Sequence, residues 1–423
     1  MGLTIDQDIP GGGTTVTRGH IAAILTLFVL TPTVGLVLPD IGSIATAFQI
    51  SATTATWVAT APSLAMVPVT ILTGMLAGSR LRYRPLILAA TALYVVSGLL
   101  PAVTHPSFEW LVATRVLWGA ATGVLLTAAN SLIVLTSDDA VLRARRFGLA
   151  NMVFSVSSVA SLVVGGQLAA ISWSAPLWGY LIGLPALIVL AIWLREPAPP
   201  IVATPGVRAR IPRVAYVPMA AFAALVMCVY PVSTLMSVVF KQAALGEPGT
   251  VGLVGSLLTL TGLVVAPNFG RLYARLGTHV LPWSSLTCAV GLVVIFISTP
   301  SGTGSLPVYV AGLVITGAGL VGATISIPVI TSTLVPQDAG GTAQGLVASA
   351  LNVGGLLSSI YAALTLPRLG GGVIVRPLYL VSAAIVVAIA VPLWNLGRYH
   401  DVLPAVRLAS ARRPVEVGPV RLP

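Results

Sequence analysis

Charge is scarce in this sequence. Only 8% of its 423 residues are Asp, Glu, Lys or Arg, whereas soluble domains carry about 25%. That scarcity excludes a water-facing globular protein. Cysteine is nearly missing: Cys228 and Cys288 both sit in apolar runs, with no CxxC and no His/Cys cluster. Neither a disulfide framework nor a metal site is expected, and no other cofactor is called for. His20, His105, His279 and His400 fall at helix ends or in loops, so no histidine relay crosses the interior. The string G-x-x-x-x-G-K-[ST] is absent, which excludes direct ATP drive by this chain. H-E-x-x-H and G-x-S-x-G are absent too, and no set of intramembrane acids stands beside a serine or histidine. The chain is therefore not expected to be an enzyme.

What the sequence does hold is long apolar runs. Hydrophobic residues make up 56% of it, and the mean hydropathy is +0.98. Runs lie near 20–41, 56–79, 85–104, 108–133, 147–170 and 176–194. A second set lies near 214–237, 250–269, 280–299, 306–333, 342–366 and 376–396. Each is long enough to cross a hydrocarbon core of about 30 Å, so the expected fold is an all-α polytopic membrane protein of twelve transmembrane helices. A β-barrel would show short alternating segments instead. Pro32, Pro62, Pro68, Pro185, Pro231 and Pro328 read as kinks, because neighbouring groups in a bundle satisfy the carbonyls they free.

The net charge of +11 reflects orientation rather than nucleic-acid binding. With the N-terminus inside, 18 of the 22 basic residues fall in cytoplasmic segments. Only Lys241, Arg368 and Arg376 fall outside, and Arg115 lies within a span. That asymmetry predicts both termini in the cytoplasm. The first 19 residues lack the basic start and cleavage site of a signal peptide, so the first run is expected to be a retained span. The Pro- and Arg-rich stretch 195–213 reads as a cytoplasmic linker between two six-helix bundles, 20–194 and 214–396. Residues 1–19 and 397–423 read as cytoplasmic segments.

Two loops carry a repeated motif. Gly74-Met-Leu-Ala-Gly78-Ser-Arg80-Leu-Arg82-Tyr-Arg84-Pro85 follows the second run, and Gly270-Arg-Leu-Tyr-Ala-Arg275-Leu-Gly277 stands at the equivalent place in the second half. Both resemble the loop motif G-x-L-A-D-R-x-G-R-R of the major facilitator superfamily. Arg115-x-x-Trp118-Gly119 in the fourth run is close to that superfamily's R-x-x-Q-G. Leu38-Pro39-Asp40-Ile41, with Trp57, Thr60 and Leu64, looks like the opening of its drug:proton antiporters. The resemblance implies two similar bundles around a central cavity, alternating access, and proton-coupled export. Some positions depart from it. Gly78 and Ala274 replace the motif aspartate, so the latch it forms in the outward-open state is expected to be built differently. Ser161-Leu162 replaces the Gly-Pro of the fifth-helix antiporter motif, although Gly165-Gly166 survives. Thr31 stands where many such exporters carry an aspartate.

The coupling candidates are few. Arg115 is the one full charge well inside a span, and lipid exposure would cost it several kcal/mol. Either it faces the bundle interior, or it snorkels to the outer interface beside Glu109. Asp40 and Glu109 sit at outer helix ends, where a solvated cap and a proton-carrying role are both open readings. Cavity candidates are Thr31, Met66, Trp118, Asn151, Phe154 and Ser155 in the first half. In the second they are Tyr230, Thr234, Met236, Asn352 and Tyr361. Gly74, Gly78, Arg82, Arg84, Gly270, Arg275 and Gly277 form the conformational motif. Polar groups mixed with Met and aromatic surface suit a small amphiphilic ligand better than a sugar or a polyanion.

The sequence thus reads as a multi-pass secondary transporter of a bacterial inner membrane. It is expected to act as a monomer among membrane lipids, with protons as coupling ion and no nucleic-acid partner. Uptake or facilitated permeation of a small metabolite, and a receptor or scaffold without turnover, are the alternatives.

Overall fold

The computed structural model describes residues 17–50, 52–55, 57–78, 80–104, 107–137, 139–197, 211–245, 248–336, 339–370 and 375–411. Residues 1–16, most of the 195–213 linker and residues 412–423 lie outside these residues, and 397–411 continue the last helix.

Twelve spans cross in alternation. Span 1 is Arg18–Leu30, continued by 3-10 turns at Thr31–Leu36 and Leu38–Asp40. Spans 2 to 5 are Trp57–Leu76, Tyr83–Val103, Phe108–Leu135 and Ala140–Ala169. Span 6 opens as a 3-10 helix at Ala175–Ile182 and continues as Gly183–Trp193. Span 7 is Arg213–Val229, extended by Pro231–Thr234 and Met236–Ala243. Spans 8 to 12 are Pro248–Leu276, Val280–Ser298, Leu306–Leu334, Gly340–Gly370 and Arg376–Ala411.

By length and hydropathy the described residues hold 11 membrane-crossing stretches, one of which, Val254–Ser298, is 45 residues long. A straight helix of that length would measure about 68 Å, twice the hydrocarbon core. It folds back instead at Gly277, whose φ of 55° ends span 8 in the left-handed region. The stretch is therefore two crossings, and the total is twelve.

Helix starts follow the sequence. The hydroxyl of Ser107 accepts from Trp110 N at 3.2 Å, and Asp139 Oδ1 accepts from Leu142 N at 2.7 Å. The Asp139 cap explains why span 5 begins earlier than its apolar run and includes Arg143, Arg145 and Arg146. Prolines act unequally. Pro32 and Pro231 stand where spans 1 and 7 leave regular α-helix, at corresponding places in the two halves. Pro62, Pro68 and Pro328 lie within continuous helices.

The pairing of spans repeats with a shift of six. Span 2 packs on span 4, 3 on 4, 3 on 6 and 1 on 5; likewise 8 on 10, 9 on 10, 9 on 12 and 7 on 11. Each half is thus a six-helix bundle. Backbone approach through glycine repeats as well. A Cβ at Gly119 would collide with the Pro62 backbone, joining spans 4 and 2, and one at Gly317 would lie 2.6 Å from Leu258 O, joining spans 10 and 8.

Candidate functional site

The bundles meet along two seams, span 2 against span 11 and span 5 against span 8. On the first, a Cβ at Gly74 would stand 2.6 Å from Gly341 O, and one at Gly345 would strike Thr70 O. Thr70 Oγ1 and Ser349 Oγ are 3.0 Å apart, and Ser349 Oγ also donates to Val67 O at 2.9 Å. Thr342 Oγ1 donates to Gly74 O at 3.2 Å. On the second seam, Gly148 faces Ala266 O, Gly262 faces the Ser155 hydroxyl, and Gly270 lies under the Arg145 side chain.

These contacts run from the middle to the end of spans 2 and 8 and from the start to the middle of spans 5 and 11. That is the side on which the chain enters span 1 and leaves span 12. The bundles are therefore closed against each other at the face carrying the termini. Arg143 adds a tie there, donating from Nη1 to Ser332 Oγ of span 10 at 2.7 Å.

The conformational-motif residues divide by role. Gly74 and Gly270, the first glycine of each repeat, make the seam contacts just described. Gly78 has φ of 77°, and a Cβ there would stand 2.9 Å from the Tyr83 ring. The ring of Tyr83 thus occupies the space beside the position where the resembling motif has an aspartate. Its hydroxyl would lie 3.4 Å from a Cβ at Gly341, the start of span 11. An acid is nonetheless at work nearby: Glu196 accepts from the backbone N–H groups of Tyr83 and Arg84 at 2.7 and 2.8 Å. It caps span 3, where the helix dipole favours a negative charge. Arg84 Nη2 donates to Ala191 O at 2.6 Å, while Arg82 and Arg275 are exposed.

Arg115 is 2% exposed and does not reach the surface. Its Nη2 donates to Ser97 O and Gly98 O of span 3 at 3.1 and 3.2 Å. The guanidinium carbon stands 4.9 Å from the Tyr180 ring centre and 6.0 Å from that of Trp118. Tyr94, Trp118 and Tyr180 form a mutual aromatic cluster with centroids 5.6 to 5.9 Å apart. Thr33 fixes it to span 1: its hydroxyl pairs with Tyr94 OH at 2.7 Å, and its carbonyl accepts from Tyr180 OH at 3.3 Å. The cation is thus enclosed in the first bundle by carbonyl dipoles and π-faces.

Asp40 is completely buried, at the end of span 1 opposite the terminal face. The unwound turns 31–40 pack against span 5, where Gly165 meets Leu36 O and Gly166 faces Pro39. Neither Asp40 oxygen makes a hydrogen bond of normal geometry, the Ser43 hydroxyl being the polar group beside it. A solvated cap is therefore not what the fold provides at this acid. Glu109 is exposed in the first turn of span 4.

The cavity candidates separate in the same way. Asn151 shares a helix face with Gly148 and Ser155 toward span 8, and Met66 shares one with Thr70 and Gly74 toward span 11. Asn352 lies one turn beyond Ser349. Asn151, Met66 and Asn352 thus extend the seams, one of which Ser155 already joins. The Asn151 and Asn352 amides donate to their own helices at 3.1 and 2.9 Å, leaving each carbonyl oxygen for another partner. Tyr230 is 37% exposed at the break in span 7 and rests on Gly355 of span 11. Thr234, one turn on, is exposed, and Phe154 is half-buried. Thr31, Trp118 and Met236 are buried within single bundles. Tyr361 bonds Ser382 of span 12 at 2.9 Å.

The family model of the Major Facilitator Superfamily matches residues 23–359. The chain belongs to the Major Facilitator Superfamily. No curated protein sequence matches it. Solved structures of transporters do. The human organic anion transporter MFSD10 (TETRAN) aligns with a TM-score of 0.71 at 16% identity, over 89% of this chain and 99% of that one. A bacterial homologue of the iron transporter ferroportin, in its outward-facing state, aligns at 0.71 and 17%, over 91% and 100%. FucP, the E. coli fucose:proton symporter, aligns in its outward conformation at 0.68 and 16%, over 90% and 99%. At these identities the likeness shows the fold alone. Twelve spans, the six-span repeat and closure at one face are shared features of a superfamily fold, while the substrate lies in side chains that differ.

Sequence reasoning passed over Tyr94, Tyr180, Thr70, Ser349 and Glu196. An aromatic or hydroxyl residue in an apolar run carries no mark of the helix it will meet.

Proposed function

We propose that this protein is a secondary active transporter that exports small hydrophobic or amphiphilic compounds across a bacterial cell membrane by alternating access, in exchange for protons. One observation carries the substrate class. Apart from Arg143 and Arg145 at the terminal-face end of span 5, the groups at the seams and at the break in span 7 are amides, hydroxyls, thioether and aromatic rings, while Arg115 is enclosed within the first bundle. Beyond those two arginines such a lining satisfies an amphiphile and offers no counter-charge to a polyanion. Interrupted helices at corresponding places of two halves mark binding regions in transporters, and spans 1 and 7 are so placed. The neighbouring folds include a proton-coupled transporter, which is compatible with proton coupling here.

Asp40 is the proposed proton carrier, because it is a buried acid beside the unwound part of span 1. Proteoliposomes with ethidium as an amphiphilic probe test the proposal. An imposed pH gradient should drive ethidium movement by the wild type. Asp40→Asn should abolish that drive while leaving ethidium binding intact. Ethidium movement that ignores the gradient would exclude proton exchange, and net concentration of the probe by intact cells would reverse the direction to uptake.

A further inference from the structure

Spans 1, 5 and 6 leave a crevice of about 390 Å³ between them. Its walls include Val29, Met152, Val156, Val164, Gly179 and Ile182. The crevice lies away from the seams: Val156, Ala160 and Val164 are on the side of span 5 turned from the Gly148–Asn151–Ser155 face that meets span 8. It also lies at bilayer depth, because residues 156–164 follow Arg146 by about 15 to 27 Å of helix rise. The rim is open, with Val156 52%, Val164 46% and Ile182 41% exposed.

Water is a poor occupant. Thr33 Oγ1 is committed to Leu30 O and Tyr94 OH, both at 2.7 Å, and Ser157 Oγ to Val29 O at 2.6 Å. Ser161 is the remaining hydroxyl in the lining, whereas a buried water needs two to four polar partners. An empty aliphatic crevice forfeits dispersion contacts on every wall. The medium at its mouth is hydrocarbon.

We propose that this crevice seats one acyl chain of a bilayer lipid, held between spans 1, 5 and 6 as a fixed part of the first bundle. All three walls belong to one bundle, so the chain travels with it and stays bound in every conformational state. It also backs the Thr33–Tyr94–Tyr180 cluster that encloses Arg115.

The test uses the full-length protein in nanodiscs containing a phosphatidylglycerol with a diazirine near the methyl end of one chain. After photolysis, adducts should concentrate several-fold at Val156–Val164 and Ile182 over equally lipid-facing positions, such as Val96 at 58% and Ile297 at 60% exposure. Ala160→Phe, and the milder Ala160→Leu, should remove that enrichment by filling the crevice. Stripping lipid with detergent should lower the melting temperature of the wild type more than that of Ala160→Phe. Enrichment should persist when a Thr70→Cys/Ser349→Cys disulfide locks the seam. Labelling equal to the control positions would overturn the proposal. So would displacement of the label by ethidium, which would make the crevice a substrate site, or protein–protein adducts at these residues, which would make it a contact between two copies.

Discussion

Arg115 illustrates how one side chain can be held inside a bundle with no carboxylate at its tip among the described residues. Two carbonyls take its Nη2, and two aromatic faces take the delocalised plane, which contributes about 0.5 to 2 kcal/mol where desolvated. Lysine keeps the charge but has neither the plane nor the fork. Arg115→Lys should therefore lower both melting temperature and transport while expression stays near normal, and Arg115→Ala should be worse. Unchanged ethidium flux in both variants at matched protein levels would remove Arg115 from the mechanism. Glu196 gives a second residue-scale prediction. Glu196→Ala withdraws two acceptors from the start of span 3 and should cost about 1 kcal/mol, read as a lower melting temperature, with Glu196→Gln recovering part of it. The rarity of charge made Arg115 visible in the sequence, but not its cage, since Tyr94 and Tyr180 come from spans 3 and 6. Asp40 could be read as a solvated cap because Leu38-Pro39-Asp40 ends an apolar run. Its burial follows from the unwinding after Leu30, which tucks those residues against Gly165 and Gly166.

At the scale of elements, the seam of spans 2 and 11 joins backbone approach to hydroxyl pairing. Interhelical hydrogen bonds in membranes contribute about 0.6 kcal/mol each, so the Thr70–Ser349 pair adjusts closure rather than dictating it. Shape is the stronger constraint. Gly345→Leu would drive a side chain into Thr70 O and the Gly74 backbone, and should shift the protein toward states open at the terminal face. A Ser349→Cys reporter should then react faster with a membrane-impermeant maleimide applied from that face. The native Cys228 and Cys288 are buried and should stay silent. An unchanged rate would show that the seam does not open there. The twelve spans were legible as apolar runs because a bilayer demands both length and hydrophobicity. The proline kinks were legible as positions but not as outcomes. Pro62, Pro68 and Pro328 leave their helices continuous, whereas Pro32 and Pro231 stand at breaks, and the sequence does not mark which will do which.

For the whole molecule, the six-span shift in packing makes the two bundles mechanical equivalents, with span 2 meeting 11 where 8 meets 5. The repeated loop motif foretold this equivalence, because Gly74 and Gly270 each begin one copy. The pairing of opposite bundles was beyond a linear reading, since no residue names a partner more than 100 positions away. Under the proposed alternating access, the two similar bundles, closed at one face through glycines and a few hydroxyls, rock against each other. Arg82, at the start of span 3, and Arg275, in the last turn of span 8, stand exposed, one on each bundle at the terminal face. Spin labels on Arg82→Cys and Arg275→Cys in proteoliposomes, read by pulsed dipolar spectroscopy, test that motion without knowledge of the substrate. Two distance populations are expected, the shorter dominating in the otherwise wild-type protein and the longer gaining when Gly345→Leu is added. A single distance, unmoved by Gly345→Leu or by a pH gradient, would contradict alternating access.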